Sequence, residues 1–291
     1  MYNDFFCTFA RNFQQVNRMK AKKILFITQE ITPYVPESPM ANAGRILPQA
    51  IQDSSHEIRT FMPRWGVINE RRNQLHEVIR LSGMNIVIDD TDHPLIIKVA
   101  SIQAARMQVY FIDNDDYFHK RQMMLDENGV EYQDNIERAV FYARGVLETV
   151  KKLRWCPDVI HCQGWMSAFA PLYIKSAYRE EPPFANAKVV FSGYNEMPVI
   201  TENSRIAECL AYREATADLL KEKNLDLTQP DALGKLAVAF SDGYIQGEEG
   251  IQPGLLDFAK ASGIPTLEYP GEDNKAEIFG DFYDKVFGEE E

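Results

Sequence analysis

Short, continuous apolar runs recur along this chain with helical patterns between them, and that alternation narrows the fold more than any other feature. "KILFIT" (23–28), "EIRTFMP" (57–63), "NIVI" (85–88), "LIIKVAS" (95–101) and "MQVYFI" (107–112) read as strands. So do "PDVIH" (157–161), "AKVVFS" (187–192), "GYIQ" (243–246) and "PTLEY" (265–269). Continuous apolar runs of this length suit strands covered on both sides, as in a parallel sheet. The expected fold class is α/β: a single doubly wound, mostly parallel sheet with helices on both faces.

The clearest helix spans 135–154. Ile136, Ala139, Val140, Ala143, Val146, Leu147, Val150 and Leu153 form a stripe at helical spacing. Asp134 and Glu137 have the form of a capping box, and Lys151, Lys152 and Arg154 complement the dipole at the far end. A second amphipathic helix is expected over 205–222. In the acidic tail, Ile278, Phe279, Phe282, Tyr283, Val286 and Phe287 recur at helical spacing, which predicts a docked terminal helix rather than a solvated arm. Segment 251–287 is expected to fold as a helix–strand–helix cap on the sheet edge.

Several function classes are disfavoured by composition. The 291 residues carry a net charge of −12. That balance offers no Lys/Arg excess to displace counterions from a nucleic acid, and it disfavours an anionic membrane surface. No apolar run approaches the length of a membrane span. Cys7, Cys156, Cys162 and Cys209 form no CxxC pair, and no His pairs with another His or a Cys at i, i+4. Neither a metal site nor a cofactor is expected, and the thiols read as buried groups of a reducing cytoplasm. Residues 1–18 lack the features of a signal peptide and read as an extension, either loosely ordered or contributed by an upstream start.

The segment "DNIERAVFYARGVLETVKKLRWCPDVIHCQGWMSAFAPLYIK" (134–175) resembles the bacterial glycogen synthases and plant starch synthases. These are retaining glucosyltransferases of the GT-B fold that extend α-1,4-glucans from ADP-glucose. Upstream, "ITQEITPYVPESPMANAGRILPQAI" is similar to the family's opening segment, with Glu30, Pro33, Val35, Ala41, Leu47, Pro48 and Ala50 retained. Downstream, "KVVFSGYN" and "KLAVAFSDGYIQG" match two further family stretches. The resemblance runs from about Lys22 to about Gly250. It implies the N-terminal, Rossmann-like half of a GT-B fold over 19–250, followed by a C-terminal cap with an acidic end over 251–291. The 41 residues given after Gly250 are too few for a second such half.

The resemblance also assigns sites. The family loop that holds donor phosphates carries a Lys and two Gly. Those positions are Pro36, Ser38 and Pro39 here, and Glu37 adds charge of the wrong sign. Proline removes an amide donor and fixes φ, so this loop reads as a degenerate phosphate loop. The family's cleft carboxylate falls at Gly164, and its glucosyl-facing His at Tyr194. No catalytic residue is therefore assigned. The candidate glucan-binding cleft comprises Gln163, Trp165, Tyr194 and Asn195. Trp165 reads either as a sugar-stacking platform or as a core anchor, His161 as a structural histidine, and "IDNDDYFHKR" (112–121) as a solvated loop.

The expectation is a glycogen/starch synthase-like protein of α-glucan metabolism, keeping the acceptor-side half and impaired in catalysis. Its partner would be an α-glucan or a protein of glycogen metabolism. The alternative is an active ADP-glucose-dependent glucosyltransferase subunit completed by a second chain that supplies the other half. A purely structural or regulatory role is the third reading.

Overall fold

The structure is a computed structural model; it describes residues 21–201, 205–227, 229–251, 254–271 and 275–288. The extension 1–18, with Cys7, and the final acidic residues 289–291 lie outside them. Ten strands among the described residues join one sheet: β1 Lys23–Thr28, β2 Glu57–Pro63, β3 His76–Glu77, β4 Met84–Ile88 and β5 Thr91–Ile102, then β6 Met107–Asp113, β7 Val159–Gln163, β8 Lys188–Gly193, β9 Gly243–Gln246 and β10 Thr266–Leu267. Their order is β10-β9-β8-β7-β1-β2-β6-β5-β3, with β4 paired to β5. Strands β10 through β6 run parallel, whereas β3, β4 and β5 form an antiparallel edge. The open, mostly parallel sheet with helices is the one the apolar runs predicted.

Six helices matter to the site: α1 Pro39–Asp53, α2 Asn135–Leu153, α3 Phe169–Lys175, α4 Ala232–Ala239, α5 Gly254–Ala261 and α6 Lys275–Phe287. Alternation along β1 sends Leu25 and Ile27 to one face and Ile24 and Phe26 to the other, and all four are fully buried. The first face is covered by α2, α3 and α4. Fourteen of the nineteen residues of α2 are buried, which makes it a central helix rather than a surface helix with one apolar stripe.

The second face is closed from both ends of the described chain. Leu47 and Ile51 of α1 and Phe279, Phe282, Tyr283 and Val286 of α6 bury Ile24, Phe26, Val159, Val190 and Ile245. Helix α5, strand β10 and helix α6 take the expected helix–strand–helix order, but the last of them is not an edge cap. Strand β10 does extend the edge beside β9, but α6 returns across the face and packs on α1. Five apolar strand residues on that face need a cover that α1 alone does not provide. The contact is close: a Cβ on Gly243 would come within 2.7 Å of Val286 Cγ2.

Three local expectations also change. Asp134 stands at the N-cap of α2 but makes no side-chain cap bond; it pairs with Arg121 through both oxygens at 2.6 and 2.7 Å. Glu137 turns instead to the Tyr117 hydroxyl, so no capping box forms. The expected helix 205–222 divides into Ile206–Leu210 and Ala217–Glu222, each short. Between them Tyr212 bridges to Ala215 and lays its ring 3.9 Å from the Arg144 guanidinium, and Thr216 caps the second piece. Tertiary docking here overrides a helical pattern. Finally, 112–121 is not a solvated loop throughout, because Asp113, Asn114, Tyr117 and Phe118 are buried.

Among the described residues no helix is long and apolar enough to cross a membrane. Cys162 and Cys209 are buried, and Cys156 is exposed.

Candidate functional site

In an open parallel sheet, the crevice for a ligand lies beyond the carboxyl ends of the strands, where the strand order reverses. Here the reversal falls between β1 and β7, so Gln29–Glu30 and Gln163–Gly164 face each other across it. The end of β1 is held rigidly from beneath. The Tyr142 hydroxyl donates to the Thr28 carbonyl at 2.7 Å, and Trp65 Nε1 donates to the Gln29 carbonyl at 2.8 Å.

Helix α1 begins at this crevice, and its amino end is capped internally. Ser38 is the N-cap and accepts from the Ala41 amide at 2.9 Å, while Pro39 occupies the first turn without an N–H. The Ser38 hydroxyl donates to Glu30 Oε2 at 2.6 Å. A buried carboxylate of this chain therefore sits at the helix end, where an anion would otherwise be bound. Gly44 allows the close approach this needs: a Cβ there would lie 2.1 Å from the Glu30 carbonyl oxygen.

The Gln29 side chain fills the rest. Its amide nitrogen donates to Glu30 Oε1 at 3.0 Å and to Glu196 Oε2 at 2.8 Å, bridging two carboxylates. Its oxygen covers Gly164, where a Cβ would meet Gln29 Oε1 at 2.7 Å and Met40 Sδ at 2.9 Å. Gly164 also adopts φ 76° and ψ 174°, a conformation reserved for glycine. Sterics and backbone together exclude a side chain at this position.

The expected cleft residues separate. Gln163 is buried at the end of β7, and its Oε1 has no partner among the described residues. It borders a cavity of about 10 Å³, enough for one water, together with Ser192, Tyr194 and Tyr269. Trp165 is wholly buried with its ring centroid 6.3 Å from that of Trp65, so it offers no face to a sugar and is a core anchor. Tyr194 is buried as well; a Cβ on Gly247 would meet its ring at 2.4 Å. Of the four, Asn195 alone is exposed, and its amide donates to Glu248 Oε1 at 2.6 Å.

His161 belongs to the core. Its Nε2 lies 2.6 Å from Ser192 Oγ and its Nδ1 2.8 Å from the Tyr283 hydroxyl. Burial lowers its pKa to about 3, so the ring is neutral at any ordinary pH.

Pro36 and Pro39 are exposed beside an open cavity of about 490 Å³ lined by Glu37, Ser38, Pro39, Asn42, Glu248, Glu249 and Tyr269. Three carboxylates and no Lys or Arg line it, which repels an anionic ligand. Glu196 feels the same crowding: burial of its carboxyl, then Glu30 and Glu248, raise its pKa against the lowering effect of the Gln29 hydrogen bond. The outer part of residue 196 stays exposed while its carboxyl is turned in toward Gln29. No group of three or more His, Cys, Asp or Glu among the described residues could hold a metal ion. Gln29, Glu196 and Glu248 were missed as site residues in the sequence, although each directly follows or closely trails a predicted strand.

Comparison with known proteins supplies the context. The starch synthase catalytic domain model matches residues 23–240. The glycogen synthase of Pelodictyon phaeoclathratiforme is 36% identical over 174 residues, covering 60% of this chain and 36% of the relative, and that of Chlorobium limicola is 35% identical over the same length. The chain thus spans about a third of the length of these curated relatives. Among solved structures, the catalytic domain of starch synthase IV from Arabidopsis thaliana, bound to ADP and acarbose, superimposes with a TM-score of 0.63 at 17% identity. That match covers 86% of this chain and 51% of the other.

Proposed function

Because the chain belongs to the starch synthase catalytic domain family, we propose that it serves α-glucan metabolism as a binding protein whose nucleotide-sugar site has been closed. The observation that carries this reading is the loop at the amino end of α1, where Pro36, Ser38 and Pro39 stand at the positions the family fills with a Lys and two Gly and the Ser38 hydroxyl is engaged by the retained Glu30. A nucleoside diphosphate sugar would have to sit beside Glu37, Glu248 and Glu249 without a cation in that lining to meet it. The side-chain-free pocket at Gly164 supports the same reading, since no carboxylate can stand there to act on a sugar.

What the protein binds is then an α-glucan or a protein of storage-polysaccharide metabolism. Isothermal titration with ADP-glucose and, separately, with maltoheptaose tests this. The expected result is no heat with ADP-glucose. Saturable binding of ADP-glucose defeats the proposal and favours an active glucosyltransferase subunit completed by a second chain. Binding of maltoheptaose alone assigns the glucan as ligand, and silence to both assigns a protein.

A further inference from the structure

The second face of the sheet ends in a small polar chamber beneath the turn 269–271. Gln163 and Ser192 are register partners at the carboxyl ends of β7 and β8, so their side chains share that face. Leu47 of α1, Phe279 of α6 and the turn close the chamber around them, leaving about 10 Å³. Both polar residues are 1% exposed. Gln163 Oε1 has no partner among the described residues, and a buried acceptor of this kind calls for a hydrogen.

Hydrogen accounting at His161 supplies the complementary group. The ring is neutral and carries one N–H, with Ser192 Oγ at Nε2 and the Tyr283 hydroxyl at Nδ1. Tyr283 is buried, and His161 is the acceptor its hydroxyl reaches. With that O–H on Nδ1, the Nε2–H donates to Ser192 Oγ, and the Ser192 hydrogen is left for the chamber. One donor, Ser192, thus stands beside one acceptor, Gln163. A hydroxyl group meets both, accepting from the first and donating to the second. An ammonium has no lone pair for Ser192, and an ionised phosphate or carboxylate has no hydrogen for Gln163.

A water molecule and a sugar hydroxyl both fit that description, and the neighbouring cavity favours the sugar. The open hollow of about 490 Å³ at Ser38 adjoins the chamber: Asn42 lines the hollow and Ala43 the chamber, Glu248 the hollow and Gly247 the chamber, and Tyr269 lines both. Tyr269 is therefore the partition between them. The hollow has room for a sugar ring, and its carboxylates, Glu37, Glu248 and Glu249, accept from further hydroxyls while repelling anions. We infer that hollow and chamber form one sugar site, in which a terminal sugar unit lies beside Tyr269 and passes one hydroxyl across it to Gln163 and Ser192. The inference rests on the binding reading given above and locates the ligand.

Isothermal titration of the full chain with maltoheptaose and with the β-linked cellohexaose tests the site. Gln163→Met keeps the length of the side chain and removes the acceptor. It should weaken sugar binding about tenfold or more, with a melting temperature no lower than the parent's. Tyr269→Ala opens the partition and should speed association several-fold in stopped flow. Unchanged affinity in Gln163→Met overturns the inference and leaves the glucan reading standing. Cellohexaose binding that depends on Gln163, without maltoheptaose binding, keeps the site and removes the α-glucan from that reading. Absence of binding of either sugar, to the parent and to Tyr269→Ala alike, overturns the inference. A lower melting temperature for Gln163→Met then assigns the chamber to a structural water alone.

Discussion

The helix α2 and the crevice at the end of β1 lie on opposite sides of the same short stretch of backbone, and they treat polar groups in opposite ways. Beneath the strand end, burial draws polar groups into hydrogen bonds. Arg138, wholly buried, donates to the carbonyls of Met123 at 2.6 Å and Gln122 at 3.0 Å and to Asn135 Oδ1 at 2.8 Å. Its guanidinium lies about 5 Å from the ring centroids of Trp65 and Tyr132. Above the strand end, Glu30 and Glu196 share one amide, and the carboxylates beyond them face an open cavity. Packing fixes the first region residue by residue. The second is held by polar contacts among a few side chains, and its acids work against one another.

The largest effect should come from the packed side. Arg138→Met removes three charge-assisted bonds and leaves buried carbonyls without donors, at an expected cost of about 3 kcal/mol. Burial and Arg121 already lower the Arg138 pKa to about 10, which marks how far it stands from water. Urea unfolding measures the loss, and a change under about 1 kcal/mol would mean that α2 is no more constrained than the rim.

The next effect tests whether the crevice is closed or merely vacant. Gly164→Asp would place a carboxylate where the family resemblance assigns one. It forces a side chain into φ 76° and against Gln29 and Met40, at a cost of about 2–3 kcal/mol. Adding Gln29→Ala should recover the Gln29 share of the steric part and leave the Met40 and backbone shares. A Gly164→Asp protein that melts with the parent and takes up ADP-glucose would show the crevice to be open, erasing the contrast. Ser38→Ala comes third: the loss of the cap and of the Glu30 anchor should cost about 1 kcal/mol, read as a lower melting temperature.

The same contrast explains what could be read in the sequence. The sheet was legible because its central strands are continuous apolar runs, and the 135–153 helix because its stripe is long. Helix 205–222 was misread because Tyr212 docks on Arg144, a partner sixty-eight positions away whose pull leaves no local trace. The path of α6 was hidden for a related reason: helical spacing shows that a face is buried, but not against which side of the sheet. At the site, the altered loop positions were visible in Pro36, Ser38 and Pro39. Burial of Trp165 and Tyr194 was not, since an aromatic residue after a strand reads alike as platform or anchor. The Gln29 bridge joins residues 167 positions apart and required coordinates.

The smallest effect has the opposite sign from the others and probes the rim most directly. The Glu196 carboxyl holds its proton to higher pH in the folded chain than in the unfolded one, because its own burial, Glu30 and Glu248 all oppose its charge. Its favourable contribution is therefore complete below the ordinary carboxylate range and is lost as pH rises through the raised folded value. Above that value the charged carboxylate is a liability. Glu196→Gln removes the charge and keeps an acceptor for the Gln29 amide, so it should raise the melting temperature at neutral pH. Solvent at the exposed rim screens the repulsion, which limits the gain to about 0.5 kcal/mol. The gain should vanish on the acid side, where the wild-type carboxyl is protonated. Melting curves of both proteins across that range decide the matter. A variant that is less stable at neutral pH would mean that the carboxylate is held as firmly as Arg138 is beneath it, and the rim would then be constrained by packing after all.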